Sequence, residues 1–128
     1  MNTGKIYKHF INSSERDYET FLHFYKSKHY MWALFVGHLC LEKLVKACYV
    51  KKHNKIPPFI HDLLRLAELA ELNLDDIQKN QLDEITKFNI NARYEDYKNR
   101  FYKLCTKKYA SIWIKVIEKL WKHIKERY

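Results

Sequence analysis

Glycine and proline are almost missing from this chain: two of each among 128 residues, with both prolines adjacent at positions 57 and 58. A β-sandwich or barrel needs such residues at each of its many turns, so that class is excluded and long helices with few connectors remain. Cysteine is scarce as well. Cys40, Cys48 and Cys105 are an odd number with no CxxC pair, which argues against a disulfide framework or a zinc knuckle and predicts reduced, buried thiols. No apolar stretch reaches the length of a membrane span; the longest runs from Tyr30 to Leu41 and contains His38, and residues 1–10 hold no apolar run of the secretory type. A cytosolic protein is expected, with no membrane partner, no cofactor and no metal. Acids are outnumbered, 15 against 24 lysines and arginines, for a formal charge of +9, and such a surface attracts polyanions, nucleic acid first among them. The lysines are spread along the chain without a basic tail, a distribution that a domain simply solvated on all sides also has.

What is present is apolar and aromatic residues, 47% and 16% of the chain, enough to exclude disorder and to fill the core of one domain spanning residues 1–128. Ser13-Ser14-Glu15 reads as a helix start, followed by Tyr18, Phe21, Leu22 and Tyr25 at helical spacing, which predicts a first helix over about 14–28. Residues 29–52 carry an apolar stripe too broad for a surface helix, including Trp32, Phe35, Leu39, Val45 and Tyr49, and are expected to form the central helix. Pro57-Pro58 makes residues 53–60 a connector. A short third helix is expected over about 61–71, with Asp62 in its first turn, and a fourth from Leu74-Asp75-Asp76 to about Asn89, with Ile77, Leu82, Ile85 and Phe88 on its apolar face. From 90 to 105 the period fails, and Asn89, Asn91 and Asn99 suggest an irregular segment. Thr106 caps the last helix, whose Tyr109, Ile112, Trp113, Val116, Ile117, Leu120, Trp121 and Ile124 form a stripe. The expected fold is an all-α bundle of about five helices.

Three elements stand out chemically. Asn91-Ala92-Arg93-Tyr94-Glu95-Asp96-Tyr97 lies in the irregular segment, Glu42-Lys43-Leu44-Val45-Lys46 in the central helix, and His61-Asp62-Leu63-Leu64 after the prolines. Arg93 reads either as a phosphate clamp, its planar fork matching two oxygens, or as the partner of Glu42, Glu95 or Asp96 in a salt bridge. Tyr94 and Tyr97 read as base-stacking rings or, preferably, as a lid on the core. Glu42 and Lys46, four apart in the acid-first order, are either an exposed pair or an inward acid facing Arg93, the inward reading being preferred. His61-Asp62 with His53 admits a metal site, but a helix start explains the dipeptide better. Trp113 and Trp121 read as core, on a face that a second copy could share.

In chain order, Glu42–Lys46, the Pro57-Pro58 connector, His61-Asp62-Leu63-Leu64 and Asn91–Tyr97, with Thr106-Lys107-Lys108-Tyr109-Ala110 after them, resemble the HEPN domain over about residues 13–127. The resemblance implies an up-and-down helical bundle, usually a homodimer, encoded beside a minimal nucleotidyltransferase as a toxin and antitoxin pair. Active members are metal-independent ribonucleases in which an arginine is followed, after four to six intervening positions, by a histidine. Here Arg93 is followed at those places by Lys98, Asn99 and Arg100, and the histidine is missing. Arg16 and His23 fit the spacing by chance in the first helix. Arginine stays charged at physiological pH and cannot shuttle a proton alone. The sequence looks like the Arg-Tyr type of the family, regarded as nucleotide-binding or non-catalytic. The site expected on this basis joins Arg93, Tyr94, Asp96, Tyr97, Lys46 and Arg100 as nucleotide or RNA ligands, with Glu42, His61 and Asp62 in support. The expected function is a binding and regulatory module rather than an enzyme. The alternatives are an endoribonuclease toxin in which Tyr97 or His61 replaces the missing histidine, and a helical scaffold without a ligand.

Overall fold

The computed structural model describes residues 2–128 and folds them into six helices: α1 (Thr3–Lys26), α2 (Tyr30–His53), α3 (Leu63–Leu69), α4 (Asp76–Arg93), α5 (Glu95–Leu104) and α6 (Lys107–Arg127). The fold is all-α, as expected. The four long helices alternate in direction. The start of α1 meets the end of α2 through a Thr3–Asn54 hydrogen bond, the ends of α2 and α6 meet where Lys51 Nζ donates to Tyr128 O, and Phe88 near the end of α4 packs on Tyr109 and Trp113 near the start of α6. That is the up-and-down arrangement, with α2 at its centre, buried on most of its circumference between α1, α3, α4 and α6.

The starts of the helices follow capping chemistry. Asp62, Asp75 and Thr106 accept hydrogen bonds from the backbone N–H of Arg65, Gln78 and Tyr109, and Gln78 returns the bond to Asp75 in a capping box. α1 departs from expectation: it begins at Thr3 behind an Asn2 cap, and the supposed capping serines lie buried within it. Ser14 Oγ donates to Cys40 O at 2.7 Å and accepts from Trp121 Nε1 at 2.9 Å, so the hydroxyl ties α1, α2 and α6 together where the core needs an acceptor for an indole N–H. Gly37 marks the same crossing. A Cβ there would lie 2.7 Å from Ile117 Cδ1 and 2.9 Å from Phe21 Cε1, and only glycine lets the three helices approach so closely.

Three helix ends place a non-glycine residue in the left-handed region: Asn54 (φ 55) after α2, a residue type that tolerates it, and two longer side chains. After α1, Lys28 (φ 64) bonds to Tyr25 O while His29 bonds to Phe24 O, and after α3, Glu71 (φ 58) and Leu72 repeat the pattern on Glu68 O and Ala67 O. Both are Schellman ends with a long side chain in the glycine position, at a cost of about 1 kcal/mol each.

The segment expected to be irregular is helical. Only Tyr94 (φ −96, ψ 128) interrupts it, after which α5 runs to Leu104. The period failed because α5 buries a single residue of its own, Phe101, with Cys105 one turn on, and leaves Tyr97, Tyr102 and Leu104 outside. Asn89, Asn91 and Asn99 sit inside helices rather than at turns. Ile77 and Ile112, assigned to apolar faces, are exposed.

Candidate functional site

The junction of α4 and α5 presents the first cluster. Arg93 is the last residue of α4, is exposed, and takes part in no ion pair among the described residues. The expected bridge to Glu42, Glu95 or Asp96 is therefore absent. Glu42 is turned into the core, and Glu95 and Asp96 lie exposed in the first turn of α5, where they complement its dipole. Tyr94 and Tyr97 are also exposed, which corrects the reading of them as a lid on the core. Arg100 lies over the Tyr97 ring at 5.8 Å, and Lys98 lies over Trp32 at 5.0 Å, so cations and aromatic faces are interleaved along α5.

The second cluster is the environment of Glu42. Its side chain is 8% exposed and that of Lys46 10%, with Lys46 Nζ 3.0 Å from Glu42 Oε2. Glu42 Oε1 accepts from His61 Nδ1 at 2.8 Å, and His38 Nε2 lies 3.9 Å from the same oxygen. The inward reading of Glu42 holds, but with His61 and Lys46 as its partners. Lys46 consequently leaves the anion-binding set in which it was expected. Because a carboxylate only accepts, His61 donates through Nδ1, which leaves Nε2 outside that bond on a ring that is 56% exposed.

His38, fully buried, was noted in the sequence only as a break in an apolar run. Its Nε2 donates to His61 O at 3.1 Å, while Nδ1 is a buried acceptor with no protein partner. Burial lowers its pKa and holds it neutral. The signal that could have found it is the i, i+4, i+8 series His38, Glu42, Lys46 along one stripe of α2.

No hydrogen bond or ion pair joins the two clusters among the described residues. Thr86 Oγ1 accepts from Leu63 N at 3.0 Å, which fixes the start of α3 at the level of Thr86. Arg93 lies seven residues further along α4, about 10 Å at 1.5 Å per residue. The ligands suggested for a metal do not converge either: Asp62 caps α3, while His53 bonds to Leu69 O at the far end of that helix. Cys40, Cys48 and Cys105 are free and buried. Burial pushes Cys48 up to about 11 and Cys105 up to about 12, and raises Cys40 further, so these thiols are poor nucleophiles. The chemistry available is anion binding at Arg93 and Arg100, with aromatic faces beside them, and proton transfer at His61.

A family model described as HEPN domain matches residues 7–127, nearly the whole chain. No curated protein matches the chain, and no solved structure does.

Proposed function

The chain belongs to the HEPN domain family, and from that premise we propose that it is a nucleotide- or RNA-binding regulatory protein whose anion-facing surface is the α4–α5 junction. The observation that carries this reading is Arg93 itself, an exposed guanidinium without a carboxylate partner among the described residues, followed by the exposed Tyr94 and Tyr97, with Arg100 over the Tyr97 ring. An unpaired fork of donors beside stacking faces suits a phosphate followed by a base. Lys98, Asn99 and Arg100 stand where an active member carries its histidine, which supports binding rather than cleavage. In this proposal the protein works as a homodimer in the cytoplasm, paired with a minimal nucleotidyltransferase in a system of toxin–antitoxin type.

Fluorescence anisotropy with a short labelled RNA at two salt concentrations tests the site. Affinity should fall as salt rises, and Arg93→Ala should weaken it about tenfold, the size of one charge-assisted hydrogen bond. Binding indifferent to Arg93→Ala would remove the site, and no binding at all would leave a helical scaffold. Light scattering and co-purification with the product of the neighbouring gene test the dimer and the partner.

A second reading has one observation in its favour, the His61–Glu42 pair. In a metal-independent ribonuclease, His61 Nε2 would take the proton of a ribose 2′-hydroxyl as that oxygen attacks phosphorus and the 5′-oxygen leaves. RNA kept intact by the pure protein in the presence of chelator supports binding. Cleavage abolished by both His61→Ala and Arg93→Ala supports the second reading.

A further inference from the structure

On α5 the buried Phe101 separates two flanks. Tyr97 and Arg100 lie on one, and Lys98 and Tyr102 on the other, as 100° per residue requires. Beyond the second flank, a cleft of about 370 Å³ opens between the α1–α2 turn and the end of α5. Its volume falls within the range of small-ligand sites, about 300–1,000 Å³. Lys28, His29 and Lys103 line it together with Tyr30, Trp32 and Tyr102, and no carboxylate does. Neither lysine takes part in an ion pair among the described residues. Tyr102 is 66% exposed, an aromatic face turned outward beside unneutralised ammonium groups.

Two details give the cleft a polarity. A smaller groove that shares Met31 and Tyr102 with the cleft holds Lys98 and Glu95 together, so its charges balance, whereas the Lys28 and Lys103 end of the cleft has cations and no acid. Lys28 also occupies a helix-terminal position where glycine is the least strained residue. The negative end of the α1 dipole favours a cation at that position, and Lys28 thereby brings an ammonium group to the cleft.

We propose that this cleft binds an aromatic base carrying a phosphate: the base against Tyr102 or Trp32, the phosphate between Lys28 and Lys103. Two sources offer that chemistry, a free nucleoside 5′-monophosphate and the 5′-phosphorylated end of a single RNA strand. The site is distinct from the Arg93 surface and does not rest on the reading given to it.

The test is titration of the full chain, followed by tryptophan fluorescence and calorimetry. The probes are AMP, adenosine, and a tetranucleotide with and without its 5′-phosphate. AMP should bind at least tenfold more tightly than adenosine, and Tyr102→Ala should weaken AMP by a similar factor. Lys28→Gly should weaken AMP at least fivefold without lowering Tm, because glycine relieves the left-handed backbone; Glu71→Gly, the same change outside the cleft, should leave AMP binding unchanged. A 5′-phosphorylated strand that binds while AMP does not assigns the site to strand ends. Comparable affinities assign it to free nucleotide. If neither binds, or if Lys28→Gly and Tyr102→Ala bind like the parent protein, the cleft is no such site. Loss of binding in Arg93→Ala alone would overturn this inference while sustaining the α4–α5 surface, and retention of AMP binding in Arg93→Ala separates the two.

Discussion

Replacing Glu42 with alanine should be among the most damaging single changes in this protein, and the reason is Lys46 rather than His61. The Glu42 and Lys46 side chains are 8% and 10% exposed and meet at 3.0 Å. Removing the acid leaves a cation in the core without a counter-charge, which costs about 3–5 kcal/mol in buried pairs. The His61 contribution is small, because a ring that is 56% exposed regains water when its partner goes. Since a long lysine stem lets its ammonium reach toward water, the lower end, about 3 kcal/mol, applies. For a chain of 128 residues, an unfolding entropy of about 2.1 cal/mol/K per residue converts that to a Tm loss of roughly 11 °C. Urea and thermal denaturation of Glu42→Ala, Lys46→Met and the Glu42→Met/Lys46→Met double variant form the assay. The double variant should lie within about 1 kcal/mol of the parent, because an apolar pair of similar volume removes both charges together. Should Glu42→Ala cost under about 1 kcal/mol, or should the double variant cost as much as the sum of the singles, the pair is not buried in solution and the reasoning fails.

Other substitutions follow from the same packing. His38 has its pKa lowered by burial, so the folded state binds its proton less readily than the unfolded chain does. Stability from this group is present above the unfolded value of about 6.5 and is lost as pH falls through the lower folded value, so His38→Gln should flatten the acid side of a pH–stability curve measured by urea unfolding. Gly37→Ala brings a methyl group to 2.7 Å from Ile117 Cδ1; overpacking of about 1–3 kcal/mol exceeds the gain in helix propensity, and Tm should fall. Ser14→Ala leaves the buried Trp121 N–H without its acceptor and should lower unfolding free energy by about 1–3 kcal/mol.

The long helices were readable because their apolar spacing is dense: α2 and α6 appear in the sequence nearly at their true limits, and Asp62 and Thr106 sit at helix starts as expected. Ser14 misled because a serine before acids looks like a cap, and only the distant Trp121 reveals its use. α5 was invisible for a related reason, since a helix that buries one aromatic of its own has no stripe to detect. The burial of Glu42 was legible in the apolar surroundings of α2, whereas its partners and the exposure of Tyr94 and Tyr97 were not. The level of α3 against α4 was not legible, because it is set by one hydroxyl, Thr86, bonding to the N–H of Leu63. The cleft beside Tyr102 joins residues from both ends of the sequence and had no linear signature.

The slender attachment of α5 has a kinetic side. A helix held through Phe101 and the following Cys105, resting mainly on α4, is a unit that opens without unfolding the four long helices, and its amides should exchange with solvent well before those of α2. Both surfaces proposed above draw residues from that unit, one on each flank. Whatever occupies one flank orders α5 and thereby removes part of the entropic cost of occupying the other, so two ligands that never touch should each tighten the other's hold. Deuterium uptake across residues 95–104, with each ligand alone and with both, would read that coupling directly.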